Sequence, residues 1–423
     1  MKVLPIIYLY VNTLSGFFLL ILFSISYISY IPKLLFVKDF ILLIIIAILT
    51  VLIAYVGKIK IFSFNKKIYI LLITFIIIVT LYFFITQSSF DSKLIYFRKF
   101  LYFILIFIVF SLLPITYIEV QKFLNHSVIV FYISFVFGAL EYMFPVEEVW
   151  GNFFMLPQFW DATGLDPWAN IPLDQSGRFY TYDLYFLIGE KIRRVVSIFL
   201  DPTLYSAFLY FILPYAIFKP RKKTTDYFLI FCIILMGMLT VSKAFLLSLF
   251  INLFFFIANI NPAYFIISLI TLILLFVVSN SFWEFDYLIH GSFAHISGLI
   301  TGLNVILKEG VIFGLGLGNA GNYSNLINIG DESGFGSLIS QLGLFGFLFV
   351  FFIYSTLEAL HRLYKLTKHW VYKAGFVSLF SWFMVFLFSE SSLGITGNSL
   401  IFVLIGMILN QRTYHYFKEG GRL

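Results

Sequence analysis

Long apolar runs broken by short polar intervals repeat along the whole 423-residue chain. Stretches of roughly 18 or more such residues are long enough to cross a bilayer as helices. Spans at 5–30, 39–56, 68–86, 99–118, 127–144, 202–218, 227–241, 244–258, 262–279, 337–358, 371–389 and 399–410 follow. The pattern predicts an all-α polytopic membrane protein of about twelve transmembrane helices, a single transmembrane domain over 1–423. The first run is too long for the apolar part of a secretory signal and no small-residue cleavage site follows it, so it reads as an uncleaved anchor. Residues 227–258 taken as one helix would reach ~48 Å, against a hydrocarbon core of about 30 Å. They would also carry Arg362, Lys365, Lys368 and Lys373 to the outer side. Two short helices meeting at Lys243 near the outer face avoid both problems. Each spans only ~22 Å, as happens where a hydrophilic cavity cuts into a bundle.

Composition narrows the class further. Hydrophobic residues make up 61% of the chain and charged residues 12%, where soluble domains carry about a quarter charged. Disorder, collagen and coiled-coil classes are excluded with them. The single cysteine, Cys232, lies in an apolar run and leaves no disulfide framework or thiol metal site. The net charge of +7 resembles a nucleic-acid signal until the charges are placed. With both termini cytoplasmic, the inner side holds 17 Lys and Arg against 4 acids, and the outer side 11 against 17. The resulting +13 and −6 follow the positive-inside rule, and no nucleic-acid partner is needed to explain them.

Two long extracytoplasmic loops, 145–201 and 280–336, interrupt the apolar runs, and loops of that length carry function or structure of their own. The first interleaves Glu147, Glu148, Asp161, Asp166, Asp174, Arg178, Asp183, Glu190 and Lys191 with Trp150, Phe153, Phe154, Trp160, Trp168, Phe179 and Tyr180. Aromatic faces beside carboxylates suit sugar rings; an interfacial aromatic belt is the alternative. In the second loop, Ile296, Leu299, Ile300, Leu303, Ile306 and Leu307 recur at helical spacing, predicting an amphipathic helix of about 17 residues at the membrane boundary or lining a cavity. The glycines of Gly314-Leu-Gly316-Leu-Gly318-Asn319 have the wrong spacing for a dinucleotide fingerprint and serve either a tight turn or an anion-binding nest. His290 and His295, five apart, stand about 140° round a helix and do not form a two-ligand metal face. They are interfacial hydrogen-bonding residues or substrate contacts, and no metal or cofactor is expected.

Outward cations run against the charge rule and call for partners. Arg193 and Arg194 precede Asp201-Pro202, which reads as a helix cap and first helical residue. Guanidinium forks bind phosphate bidentately and stay charged in a low dielectric. Lys243, between two apolar runs, either marks a site at membrane depth or snorkels to the surface. Asp331 and Glu332, at the foot of 337–358, are either candidates for a general base or solvated caps of that helix. Arg178 in the first loop joins the substrate-binding candidates.

An ordered series of segments then resembles the O-antigen polymerase and ligase superfamily of bacterial envelope glycosyltransferases. It runs through Arg-Arg-Val-Val-Ser-Ile-Phe-Leu-Asp-Pro-Thr (193–203), Leu-Thr-Val-Ser-Lys-Ala-Phe-Leu (239–246) and Gly-Ser-Phe-Ala-His-Ile-Ser-Gly-Leu (291–299). It closes with Phe-Gly-Leu-Gly-Leu-Gly-Asn-Ala-Gly (313–321) and Asp-Glu-Ser-Gly-Phe-Gly-Ser-Leu-Ile-Ser-Gln-Leu-Gly-Leu-Phe-Gly (331–346). The series covers about a third of the chain, and the first 190 residues match only in hydropathy. The resemblance implies about twelve helices around an outward-facing cavity, without metal or nucleotide cofactor, in the bacterial cytoplasmic (inner) membrane. It implies undecaprenyl-pyrophosphate-linked oligosaccharides as donor and acceptor, with a polysaccharide chain-length regulator as a possible partner. Arg193 or Arg194 matches the arginine before the family's Asp-Pro. Lys243 stands where relatives often carry arginine, which keeps a charge and loses the fork. His295 falls where relatives carry a polar or basic residue.

On that resemblance the expected reaction is metal-independent polymerisation of repeat units into O-antigen, capsular or exopolysaccharide. Arg193, Arg194 and Lys243 would stabilise the departing pyrophosphate, and Glu332 or Asp331 would take the acceptor's proton. Transfer of the finished glycan to a lipid-A core or protein, as a ligase performs, is the alternative within the family. A flippase or other transporter is the alternative outside it, but no repeated halves are visible.

Overall fold

A computed structural model describes residues 2–34, 38, 41, 42, 44, 46–48, 66–163, 171–181, 189–220, 222–268, 270, 271, 292–307, 310–324, 329, 330 and 332–410, with residues 292–295 described by their backbone alone. Among them the chain is mostly helical, and six helical stretches are long and apolar enough to cross a membrane. These are Leu4–Ser26 (α1), Lys66–Ile85 (α2), Phe90–Leu112 (α3), Tyr117–Met143 (α4), the broken stretch Gly334–Thr367, and Trp370–Phe388. This is the make-up of an all-helical membrane protein. On α2, Ile70, Ile73, Ile77, Leu81 and Phe84 recur every three or four positions and are all exposed, so the outer face is as apolar as the inner one. Such a helix suits lipid rather than water.

Capping chemistry sets where the helices begin. Ser89 caps α3 by accepting from the Ser92 amide at 3.3 Å, with Asp91 in the first turn complementing the helix dipole. The run at 99–118 therefore starts earlier than its apolar pattern and stops before Pro114, where Leu113 turns to extended backbone. Thr116 and Glu119 form a capping box for α4, the Thr116 amide donating to Glu119 Oε2 at 2.8 Å. Two thirds of the span expected at 39–56 and half of that at 262–279 lie outside the described residues.

The first long loop has structure of its own. A π-helix at Glu147–Phe153, a short helix at Leu156–Thr163 (α5) and a two-stranded pair, Tyr180–Thr181 (β1) against Ile192–Arg193 (β2), fold over a separate small core. Trp150 and Phe179 are fully buried in it, their ring centroids 6.0 Å apart, and Trp160 stacks alongside. These three aromatics thus hold the loop together, while Phe153 is exposed and Trp168 lies outside the described residues.

Beyond it come Pro202–Phe218 (α6), Thr224–Leu239 (α7), Lys243–Ile257 (α8), Ser292–Leu307 (α9), Gly334–Leu342 (α10), Phe347–Thr367 (α11), Trp370–Phe388 (α12) and Asn398–Ile408 (α13). The stretch 227–258 is indeed two helices: α7 ends at Leu239, Val241 takes the left-handed conformation (φ 46°), and α8 starts at Lys243. The apolar run 337–358 is likewise interrupted, because Gly343 adopts φ 60° and a 3₁₀ turn over Gly343–Gly346 separates α10 from α11. At the centre, α3, α12 and α13 pack through Phe103, Trp382 and Phe402, with centroids 4.9 Å apart for both pairs that include Phe402. Helices α9 and α10 cross on glycines: a Cβ on Gly302 would lie 2.5 Å from the Gly336 carbonyl, and one on Gly336 would collide with Gly298.

Candidate functional site

Three segments far apart in sequence meet at one cavity of about 420 Å³. Arg194 comes from the end of the first loop, Lys243 from the α7–α8 break, and Glu332 from the turn before α10. Thr203, Ser242, Ser389 and Ser391 add hydroxyls, while Leu247, Ile296, Val385 and Phe388 supply apolar wall. Two cations and a carboxylate beside an apolar surface can hold an amphiphile with a charged head.

Each charged residue is placed by a local constraint. Arg194 donates from Nε to the Thr240 carbonyl at 2.9 Å and from Nη1 to the Gly177 carbonyl at 2.7 Å. Its backbone amide bonds Phe179, and the next amide, Val195, bonds Leu239. The arginine therefore ties the first loop to the carbonyl end of α7. Lys243 is the first residue of α8, with Ser242 before it donating from its hydroxyl to Ser206 Oγ at 3.0 Å. Glu332 is exposed and left-handed (φ 60°). Its amide donates to Asn322 Oδ1 and its carbonyl accepts from the Glu390 amide, both at 2.9 Å. Val241 and Glu332 are thus two non-glycine residues held at positive φ on the same cavity wall, a conformation that costs of order 1–3 kcal/mol and that surroundings must enforce.

Glu390 is the organiser that the sequence conceals. It is buried, pairs with Lys99, and accepts from the Tyr96 hydroxyl at 3.1 Å and from the Asn322 amide at 3.0 Å. Lys99 in turn sits 4.1 Å from the centroid of the Tyr323 ring. The pair locks α3 and a 3₁₀ turn at Glu390–Leu393 to the loop that carries Glu332. Glu141, buried near the end of α4, does the same for the other wall: its carboxylate accepts from the amides of Val196 (3.2 Å) and Ser197 (2.7 Å). The only sequence signal for either acid is an ionisable residue at the edge of an apolar run.

The remaining candidates separate. Arg193 does not line the cavity; its guanidinium donates to the carbonyls of Glu141 (2.6 Å) and Tyr142 (3.4 Å) and lies over the Tyr142 ring. Arg178 lies over the Trp160 ring and donates to Asp201 Oδ2 at 3.3 Å, in a second cavity of about 250 Å³ beside the start of α6. Asp201 caps α6 as its sequence implies, accepting from the amides of Thr203 (2.7 Å) and Leu204 (3.1 Å). Burial pushes its carboxyl up, but Arg178, the Thr203 hydroxyl, the Leu204 amide and Arg194 outweigh that and hold it below the ordinary carboxylate range. His290 and Asp331 fall outside the described residues. His295 lies on α9, its side chain outside the description.

The glycine run is a turn rather than an anion nest. Gly314, Gly316, Gly318 and Gly321 all have positive φ, and their amides are spent internally. Gly316 bonds the Gln341 carbonyl at 3.0 Å, Gly318 bonds Gln341 Oε1 at 2.8 Å, and Gly321 bonds Ile329 at 2.8 Å. No protein-family model matches this chain, and no curated protein matches it.

Proposed function

We propose that the chain is a glycosyltransferase of the O-antigen polymerase type. It would join undecaprenyl-pyrophosphate-linked oligosaccharide repeat units at the outer face of a bacterial cytoplasmic membrane, in a bundle of about twelve crossings with both termini inside. The observation that carries this reading is the convergence of Arg194, Lys243 and Glu332 on one cavity with an apolar wall. A lipid pyrophosphate needs cations for its head and an apolar surface for its tail, and an acceptor hydroxyl needs a base beside them.

In the proposed reaction the bond from the donor's anomeric carbon to the pyrophosphate oxygen breaks, and a bond from that carbon to the acceptor oxygen forms. The polyprenyl pyrophosphate leaves with its added negative charge facing Arg194 and Lys243, which is where preorganised cations lower a barrier most. Glu332 receives the acceptor's proton, so no metal is required. Holding donor and acceptor in one cavity supplies the proximity term.

The test is a block-transfer assay with the purified protein and lipid-linked repeat units, read on a gel. A ladder of products that disappears in Arg194→Ala supports the reading. Wild-type turnover in that variant sinks it, and a single transfer step in place of a ladder turns the assignment to a ligase.

A further inference from the structure

α8 runs away from the larger cavity, from Lys243 to Ile257, and its far end meets the close of α6, the start of α7 and the start of α12. Between α6 and α7 the chain reads Lys219-Pro-Arg-Lys-Lys223. Lys222 lies between two helices: its Nζ is 5.9 Å from the centroid of the Tyr227 ring on α7 and 5.7 Å from that of Phe256 on α8. Lys373 of α12 stands at the same end, 4.9 Å from the centroid of the Phe218 ring, and donates to the Ala258 carbonyl at 3.4 Å. Among the described residues, Asp226 is the one acid that pairs with these lysines. Its Oδ1 accepts from Lys219 Nζ at 2.7 Å and its Oδ2 from the Lys223 amide at 2.8 Å. Lys219, Lys222, Lys223 and Lys373 against that aspartate leave a formal excess of three positive charges among the described residues, and no carboxylate pairs with Lys222.

Apolar surface adjoins these cations. Tyr227, Phe228 and Phe231 on α7 are exposed, as are Phe254 and Phe256 on α8, and Ile257 is 90% exposed. A bias of positive charge toward one side of a membrane asks only that lysines lie near the boundary. It does not ask that an ammonium stand between two exposed rings of different helices, which is where a cation gains from both aromatic faces. Inorganic phosphate answers the cations and leaves the rings uncovered. A zwitterionic lipid covers the rings and brings no net charge. A phospholipid with a net negative head does both, its phosphodiester meeting the lysines and its acyl chains the apolar faces.

We propose that this end of the bundle holds one anionic phospholipid, with its phosphodiester on Lys222, the charges of Lys223 and Lys373 beside it, and its acyl chains along the exposed faces of α7 and α8. The proposal needs a membrane and is independent of glycosyl transfer.

The experiment is native mass spectrometry of the full-length protein in a non-ionic detergent, titrated with phosphatidylglycerol and with phosphatidylcholine of the same acyl chains. The first phosphatidylglycerol should bind at least about tenfold more tightly than phosphatidylcholine, the scale of two lysines acting on one net charge. Lys222→Gln with Lys223→Gln should weaken phosphatidylglycerol by about tenfold and leave phosphatidylcholine unchanged. Lys66→Gln with Lys67→Gln removes the same charge from the exposed start of α2 and should change either lipid by less than about twofold. Equal affinity for the two lipids, read on the unmutated protein, overturns the proposal. So do equal losses in the two double variants, which would assign the preference to diffuse charge, and displacement of the lipid by equimolar inorganic phosphate, which would make it a site for phosphate alone.

Discussion

The side chain of Arg194 reaches the carbonyl of Thr240, 2.9 Å away, and Thr240 is the residue that ends α7. The guanidinium therefore serves the α7–α8 break and the cavity at once. Arg194→Lys keeps the positive charge and loses the planar fork that bridges Thr240 and Gly177. Transfer should fall about 10-fold to 100-fold in this variant and about 10²- to 10³-fold in Arg194→Ala. Rates of repeat-unit consumption measure both, and a lysine variant as fast as wild type would show that charge alone matters.

Glu332→Gln removes the proposed proton acceptor and preserves shape. The rate should drop about 10²- to 10⁴-fold, with donor binding retained. Single-turnover kinetics beside a binding measurement separate the two, and a loss confined to binding contradicts the role of base.

Lys99 and Glu390 form a buried pair between segments 291 residues apart. Lys99→Met alone or Glu390→Gln alone should cost about 3–5 kcal/mol, because each leaves a buried partner uncompensated. The double variant Lys99→Met with Glu390→Gln should recover part of that loss, because no buried charge is left and an amide oxygen still accepts from Tyr96 and Asn322. Unfolding of the protein in detergent is the measurement, and equal losses in single and double variants would refute the coupling.

His369 caps α12, its Nδ1 accepting from the Val371 amide at 3.4 Å, and burial lowers its pKa to about 4 from an ordinary 6.5. The neutral ring is the folded form, so its contribution is complete above pH 6.5 and drains away as pH falls toward 4. His369→Asn keeps a cap acceptor and should flatten the acid limb of a stability–pH curve. An unchanged limb would assign it to other groups.

The α9–α10 crossing tolerates no side chain at its contact. Gly302→Ala sets a methyl against the Gly336 carbonyl and should destabilise by about 1–3 kcal/mol. Gly177→Ala, which meets nothing within 4 Å, is the control. The difference between the two in thermal unfolding is the readout.

Much of this was legible in the sequence where a number forced it. The break at Lys243 follows from the length of 227–258, Arg194 and Lys243 stand out as cations where the charge rule disfavours them, and Glu332 is visible as an acid at the foot of the run 337–358. For Lys99 and Glu390 the sequence shows only ionisable residues at the edges of two apolar runs, and no periodicity relates residues so far apart. Arg193 and Arg194 look alike in sequence, yet Arg193 ends β2 with its guanidinium on the Glu141 carbonyl, while Arg194, just beyond the strand, is held by the Thr240 and Gly177 carbonyls and lines the cavity. The aromatics of the first loop have the composition of a sugar platform, and only packing reveals that Trp150, Trp160 and Phe179 face one another.

Asp201 has a wider consequence than starting a helix. Its carboxylate lies between the fields of Arg178, on the smaller cavity, and Arg194, on the larger. An anion arriving on either side competes with the same carboxylate and raises the negative potential felt on the other. Were anions bound in both cavities, their occupancies would be linked with a negative sign, and linkage is reciprocal: whatever affinity the first anion gave up to the presence of the second, the second would give up to the first.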